Sequence, residues 1–399
     1  MTQLAPRNAE EVVEAVRWAM SAGEALEVLG SGARRALGRP VEAPHVLDVS
    51  ALRGVLDYEP EELTLTARPG TPLAEIEALL ASRKQCLAFE PPYLPGSGTL
   101  GGVVSTGLSG PRRPKAGAVR DHLLGVTAVS GRGELFKAGG KVVKNVTGYD
   151  LPKLIAGSYG TLAVLTELTI KVLPVQEDTR TLIVGGQALA DAVKTMKRVL
   201  RSTADVSAAC YLPQDIAVPG MASQAPATAF RFEGVGPSVE FRLSRLREQL
   251  ASEGSMTVLD LEGSLGFWRA IRDVAPFAAD ADHTLWRVSV PPALGADVLS
   301  RLQARLPGSR AFLDWGGGLI WLQCAAADVP GSLDCAQKIR AVLAEHGGHA
   351  TLIRASSDVR RNVEVFQPQA PALAALSRRV KLQFDPKRVL NPGRMYAGV

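Results

Sequence analysis

PGSGTLGGVVSTGLSG, residues 95–110, carries six glycines in sixteen positions, interleaved with serine and threonine. Glycine is entropically costly to order, so such density marks backbone that turns sharply or comes close to something. Amides freed in turns of this kind form concavities suited to anions. Residues 95–110 open a longer stretch, residues 95–174, that closes with GSYGTLAVLTELTIKVLP, residues 157–174, where two glycines and Thr161 lead into an apolar strand. Two glycine-rich loops around a compact αβ segment point to a large phosphate-bearing cofactor threaded between them. Either loop alone reads equally well as an ordinary tight turn.

Working outward toward the N-terminus, Asn8 and Glu11 form a capping-box pair ahead of a helix whose apolar face is Val12, Val13, Val16 and Met20. Gly23 stops it. A short strand through Leu26, Val28 and Leu29 then runs into GSGARRALG, residues 30–38. Gly30 and Gly32 supply G-x-G, but Arg35 stands where the dinucleotide fingerprint needs its third glycine. A Walker A loop is also absent, since Gly140-Lys141 is followed by Val142. The 30–38 turn remains either a phosphate cradle with Arg34 or Arg35 adding charge, or a plain surface turn. Next come a strand pair at 45–48 and 63–68 and a helix capped by Thr71 with Pro72 at its first position. Beyond the glycine-rich stretch, 126–130 and 134–137 read as a hairpin closed by Gly131-Arg132-Gly133. Residues 144–157 read as a short helix entering the second loop. Arg112, Arg113, Lys115 and Arg120 make the densest positive cluster. It is either a solvated loop or a contact for an anionic flavin, an anionic substrate or an acidic docking face.

After Pro174 the rhythm changes. Strand, helix, strand, strand, helix, strand follow in order, then the same order again. Two such units side by side predict one antiparallel sheet covered by four helices, with a helix over 266–277 between them. A helix over 373–382 precedes FDPKRVLNPGRMY, residues 384–396, which is too turn-rich to pack alone and is expected to return to the first domain.

The 399 residues exceed one core and predict two or three domains. An apolar fraction of 46% with 21% charged residues is that of a soluble globular protein. A net charge of +5 without a basic run or an aromatic-studded basic patch argues against nucleic acid. No apolar run approaches the roughly 20 residues that a bilayer span needs. The first residues lack the pattern of a signal peptide. Cys86, Cys210, Cys324 and Cys335 form no C-x-x-C, so neither zinc nor an iron–sulfur cluster is expected, and reduced thiols in a cytoplasmic protein are. His346 and His349 flank two glycines at a helix end, which disfavours a metal site there; His122 and His283 are isolated and read as structural.

Taken together, GSGARRALG, PGSGTLGGVVSTGLSG, VRDHLLGV, GYDLPKLIAGSYGTLAVLTELTIKVLP and FDPKRVLNPGRMY resemble the p-cresol methylhydroxylase and vanillyl-alcohol oxidase type of FAD-binding protein. The runs at 89–126 and 144–151 are similar to FAD-binding subunits of glycolate-oxidising complexes. The resemblance implies an α+β fold: a two-subdomain FAD-binding domain over 1–174, a ferredoxin-like cap over 175–366, and a C-terminal segment, 367–399, returning to the first domain. It implies that the FAD pyrophosphate lies on Gly30, Ser31, Gly32, Ala33 and Arg34, closed by Leu37 and Gly38, and on Pro95, Gly96, Gly98, Thr99, Gly101 and Gly102. Ser105, Thr106 and Gly107 would lie near the flavin ring, with Thr106 bonding its polar edge. Gly157, Gly160, Thr161 and Val164 would contact the cofactor by backbone. The first loop holds no histidine or cysteine for a covalent link, so the FAD is expected to be noncovalent.

Relatives that oxidise 2-hydroxy acids directly resemble one another in a histidine-rich metal motif, which residues 176–367 lack. The implied function is therefore that of an FAD-bearing subunit working with a catalytic flavin subunit, D, and an iron–sulfur subunit, F, in glycolate oxidation. The complex would be cytoplasmic, or peripheral on the inner face of the membrane. One alternative is a self-sufficient dehydrogenase of a small 2-hydroxy acid such as D-lactate, with Arg354, Arg360 or Arg361 on the carboxylate. Another is a structural subunit without flavin.

Overall fold

The computed structural model describes residues 2–94, 96, 98–141, 148–221, 225–280, 282–325 and 328–399. The chain forms two compact units. One comprises Met1–Ser109, Gly117–Val175 and Pro368–Val399; the other comprises Gly110–Ala116 and Gln176–Gln367.

In the first unit, the helix Ala9–Ala22 buries Val12, Val16 and Ala19. Asn8 Oδ1 accepts the Glu11 amide at 2.8 Å. The Glu11 carboxylate closes on the Arg7 amide, also at 2.8 Å, one residue earlier than the expected box. The strand Leu26–Leu29 pairs in parallel with His45–Asp48, whose other edge takes Thr2–Leu4. The expected pairing of 45–48 with 63–68 does not form. Thr64–Ala67 lies in a separate five-stranded antiparallel sheet, between Val55–Glu59 and Ala163–Lys171. Val55–Glu59 was hidden because it is a half-exposed edge strand without a clean apolar alternation. The predicted hairpin forms as Leu123–Ser130 with Leu135–Gly139 and completes that sheet.

Thr71 does not cap the helix Leu73–Ser82. Its hydroxyl donates to Arg68 O at 2.7 Å and accepts the Gly54 amide, so it ties the chain reversal after Ala67. Residues 144–147 of the expected helix over 144–157 lie outside the described residues; Leu151–Ile155 is helical. The glycine-rich stretch contributes the helix Leu100–Thr106. The tail forms the helix Pro371–Phe384 and then lies along Leu26–Leu29, with Leu26 N on Val389 O at 2.7 Å and Asn391 N on Leu26 O at 2.9 Å.

The second unit is one eight-stranded antiparallel sheet. In spatial order its strands are Ser255–Leu259, Asp178–Gly185, Ala227–Gly234, Ala208–Leu212, Arg310–Asp314, Leu319–Cys324, Thr284–Ser289 and His349–Arg354. Each half is a ferredoxin-like βαββαβ unit, and the halves join edge to edge where Tyr211 faces Leu313. The helices Leu189–Leu200, Gly236–Gln249, Gly295–Arg305 and Val329–His346 supply the α positions of the two repeats.

Residues 110–116 join this unit through chemistry that their basic composition already held. Arg112 pairs with Glu233, Lys115 with Asp205, and Trp315 Nε1 donates to Gly110 O at 3.0 Å. Among the described residues, no helix is long and apolar enough to cross a membrane. All four cysteines are free thiols.

Candidate functional site

Four segments far apart in sequence line one cleft of about 700 Å³, part of it open to solvent, in the first unit. They are the end of the strand Leu26–Leu29 with its loop to Arg35, the stretch from Gly98 to Thr106, the stretch from Tyr159 to Leu165, and Asn391 with Arg394 from the tail. The parallel strand ends in the first loop because Gly32, with φ of +76°, turns the chain where other residues are strained. Arg35 N closes that turn on Gly32 O at 2.9 Å, and Leu37 N closes the next on Arg34 O at 3.1 Å. The second segment meets the first at close range: a Cβ on Gly30 would stand 2.8 Å from Thr99 Oγ1.

The Arg34 side chain is the cleft's most telling group. It is 6% exposed, and Nη2 donates to Pro92 O at 3.0 Å. Among the described residues its Nε and Nη1 are buried and find no acceptor. Burial lowers its pKa to about 10, while Tyr159 and Tyr93 pull the other way. The guanidinium is therefore still charged at neutral pH and has two donors to offer. A buried cation with unmet donors is costly unless an anion completes it. Arg35 has a different task. It forks onto the buried Glu27 carboxylate at 2.9 and 2.5 Å, and that bond raises its own pKa.

The tail holds the cleft together. Arg394 Nη2 donates to Arg34 O, Arg35 O and Leu37 O at 3.2, 3.2 and 3.1 Å. Asn391 bridges the first and third segments: its Oδ1 accepts the Val28 amide at 2.8 Å, and its Nδ2 donates to Tyr159 O at 2.8 Å. A Cβ on Gly160, where φ is +70°, would come within 2.7 Å of that Nδ2, so the bridge requires glycine there.

Of the residues singled out in the sequence, Gly30, Ser31, Gly32, Ala33, Arg34, Gly98, Thr99, Gly101, Gly102, Ser105, Thr106 and Gly160 line the cleft. Leu37, Gly38, Gly96, Gly107, Gly157, Thr161 and Val164 do not line it, and Pro95 lies outside the described residues. Leu37 and Val164 are core side chains, 1% exposed each. Gly38 packs on Arg394 and Tyr159, and Gly107 packs on Gly157. The Thr161 hydroxyl is spent on Ser158 O at 2.8 Å. Thr106 donates back to Gly102 O at 2.8 Å, so toward the cleft it offers lone pairs only. Sequence reasoning missed Val28, Leu29, Val49, Pro69, Tyr159, Ala163, Leu165, Asn391 and Arg394 as lining residues, while Arg35, named there as an alternative to Arg34, does line the cleft. The polar tail pair had a signal in LNPGR, residues 390–394, while the apolar ones look like any core residue.

Elsewhere, His346 bonds Val342 O and, at 2.8 Å, Asp297, which occupies both ring nitrogens. Arg354 is spent on three carbonyls, those of Phe277, Asp280 and His283. Arg361 pairs with Asp358 at the surface, and Arg360 is buried in the helix Ser357–Asn362. Among the described residues, no three His, Cys, Asp or Glu groups gather as metal ligands.

A cleft lined by glycine loops, with a buried cation short of acceptors, suits a dinucleotide pyrophosphate. The residues present fit FAD. The family described as FAD binding domain matches residues 3–139. The fold is that of p-cresol methylhydroxylase, solved with substrate bound, at a TM-score of 0.73 and 13% identity over 100% of this chain and 88% of that one. The chain is 25% identical over 426 residues to the glycolate oxidase subunit GlcD of Bacillus subtilis (strain 168), covering 99% of this chain and 88% of that one. It is 36% identical over 388 residues to the glycolate oxidase subunit GlcE of Escherichia coli (strain K12), covering 97% of each. The chain is thus an FAD-binding α+β protein that belongs to the oxidoreductase family of glycolate oxidase subunit GlcE.

Proposed function

We propose that this chain holds noncovalent FAD as one subunit of a glycolate oxidase complex, which oxidises glycolate to glyoxylate. A catalytic flavin subunit, D, and an iron–sulfur subunit, F, complete the complex. The observation that carries this reading is the 36% identity to GlcE, which runs through both units of the chain rather than through the FAD domain alone.

FAD, when bound, supplies a two-electron acceptor for the oxidation of a 2-hydroxy acid. The chain's own residues bind and orient it. Arg34 would set its free Nε and Nη1 against the pyrophosphate charge. Arg394 holds the carbonyls of 34, 35 and 37 away from the anion, so that the loop presents amides. Asn391 keeps the first and third segments at a fixed separation. Thr106 would accept, not donate, at the flavin's polar edge. Among the described residues no histidine or cysteine lines the cleft, which supports noncovalent attachment. A self-sufficient dehydrogenase of a small 2-hydroxy acid is the second reading.

The test is a visible spectrum of the purified chain, followed by denaturation and anaerobic addition of glycolate. Denaturation is expected to release FAD into the supernatant. Glycolate is expected to leave the flavin bands intact in the chain alone and to bleach them once the other two subunits are added. Bleaching by glycolate alone would establish the second reading. No flavin bands, even after FAD is supplied, would end both.

A further inference from the structure

Cys324 ends the strand Leu319–Cys324, opposite Thr284 in the neighbouring strand. Side chains alternate between the faces of a sheet, so Cys324 shares its face with Ile320 and Leu322, and with Trp286 and Val288 across the ladder. Those four are fully buried. The helix Val329–His346 buries Cys335 together with Ala336, Ile339, Val342 and Leu343. The two sulfurs meet where helix packs on strand: Sγ stands 3.0 Å from Sγ, and both residues are free thiols. A disulfide bond is about 2.05 Å long, so the pair needs to close by only about 1 Å.

The pair is also polarised. A bond from the Cys324 thiol holds the Cys335 pKa below the usual thiol range, against burial and the charge of Asp334, and Lys338 and the Trp286 indole add to the lowering. The same bond, with burial, pushes Cys324 up. A thiolate beside a second thiol is the arrangement of an attacking and a resolving cysteine. Cys210 has the opposite character: removal from water raises it well above the thiol range, which leaves it inert. Among the described residues, no third His, Cys, Asp or Glu joins Cys324 and Cys335 as a metal ligand.

We infer that Cys324 and Cys335 form an oxidation site that a small hydroperoxide converts, reversibly, into an intrachain disulfide. The Cys335 thiolate attacks hydrogen peroxide; an S–O bond forms, the O–O bond breaks, and hydroxide leaves and takes up a proton as water. The Cys324 sulfur then attacks the sulfenic sulfur; the S–S bond forms, the S–O bond breaks, and the oxygen leaves as water with the Cys324 proton. Two thiols and one peroxide become one disulfide and two waters, with two electrons passing from sulfur to peroxide. Cys324 is 5% exposed and is followed by exposed Ala325, so a reagent hardly larger than water reaches the pair from the end of the strand. The new bond ties the helix Val329–His346 to the strand it covers and closes a short loop in the unfolded chain. None of this depends on the function proposed above.

The experiment exposes the FAD-loaded full chain to hydrogen peroxide, blocks the remaining thiols under denaturing conditions, and maps the peptides by mass. Trypsin releases both cysteines in one peptide, 311–338. That peptide is expected to be unblocked and lighter by two hydrogens, and to return as two blocked thiols after dithiothreitol. Cleavage before Asp328 and Asp334 is expected to leave the two cysteine peptides linked. Cys210 is expected to be recovered as a thiol. The melting temperature is expected to rise on oxidation and fall back on reduction. In Cys324→Ala, Cys335 is expected to run on to the sulfinic acid for want of a partner. Two blocked thiols in 311–338 after peroxide would overturn the inference. So would sulfinic acid in place of the disulfide in the parent, or a linkage that forms only when peroxide meets the unfolded chain.

Discussion

The Arg34 guanidinium keeps its charge at neutral pH although burial brings its pKa down to about 10, well below the ordinary guanidinium range. At about 1.4 kcal/mol per unit, holding it charged costs the FAD-free fold roughly 3 kcal/mol. From about pH 10 up to the ordinary guanidinium range, the folded FAD-free chain binds fewer protons than the unfolded chain, so its stability rises with pH there and carries the full cost below. FAD favours the charged form, so FAD affinity is expected to fall as pH rises through about 10. Arg34→Met is expected to weaken FAD binding at least tenfold, remove that part of the pH dependence, and leave the FAD-free protein no less stable. Flavin fluorescence titration from pH 8 to 10.5, with thermal melts of the FAD-free proteins, checks this. Unchanged affinity in the variant would remove Arg34 from the site.

At the scale of elements, the tail is secured by a buried ion pair. Lys381 and Asp385 are both 0% exposed and 2.8 Å apart. Lys381 Nζ also donates to Thr161 O at 2.6 Å and Leu390 O at 2.9 Å. Asp385 accepts the amides of Val389 and Leu390 at 3.0 and 2.9 Å. Every donor and acceptor of the pair is used to bind the helix Pro371–Phe384 to the third cleft segment and to the strand-like run that carries Asn391. Burial lowers the Lys381 pKa, and the Asp385 carboxylate opposes that shift. Removing one partner strands the other charge, so Lys381→Ala or Asp385→Ala is expected to cost about 3–5 kcal/mol. The Lys381→Met/Asp385→Leu double variant is expected to lose far less than the sum of the singles. Urea unfolding of the four proteins measures this. Additive losses would show that the pair is not coupled.

Over the whole molecule, the chain builds each unit from separated segments, and charge decides where the short one belongs. Glu233 in the second unit would be raised by burial, but Arg231 and Arg112 outweigh that and bring its carboxyl down to about 2. Its contribution is complete above the ordinary value near 4.5 and is lost as pH falls toward 2. Glu233→Gln is expected to lower stability at pH 7 and to flatten the acid limb between pH 4.5 and 2, as followed by urea unfolding across that range. An unaltered acid limb would show that the Arg112 bond does not anchor 110–116. Local chemistry alone determined much of this protein: the Asn8 cap, the hairpin at 131–133, the doubled βαββαβ rhythm and the glycine loops that line the cleft. Each is written in neighbouring residues, through propensity, period and turn geometry. Tertiary structure alone decided that Thr64–Ala67 leaves the strand His45–Asp48 for another sheet, that Arg34 rather than Arg35 keeps unmet donors at the cleft, that 110–116 joins the second unit, and that Asn391 and Arg394 complete a cleft begun at Val28. Those outcomes depend on which burial and which partner a residue meets hundreds of positions away, and no local pattern records that.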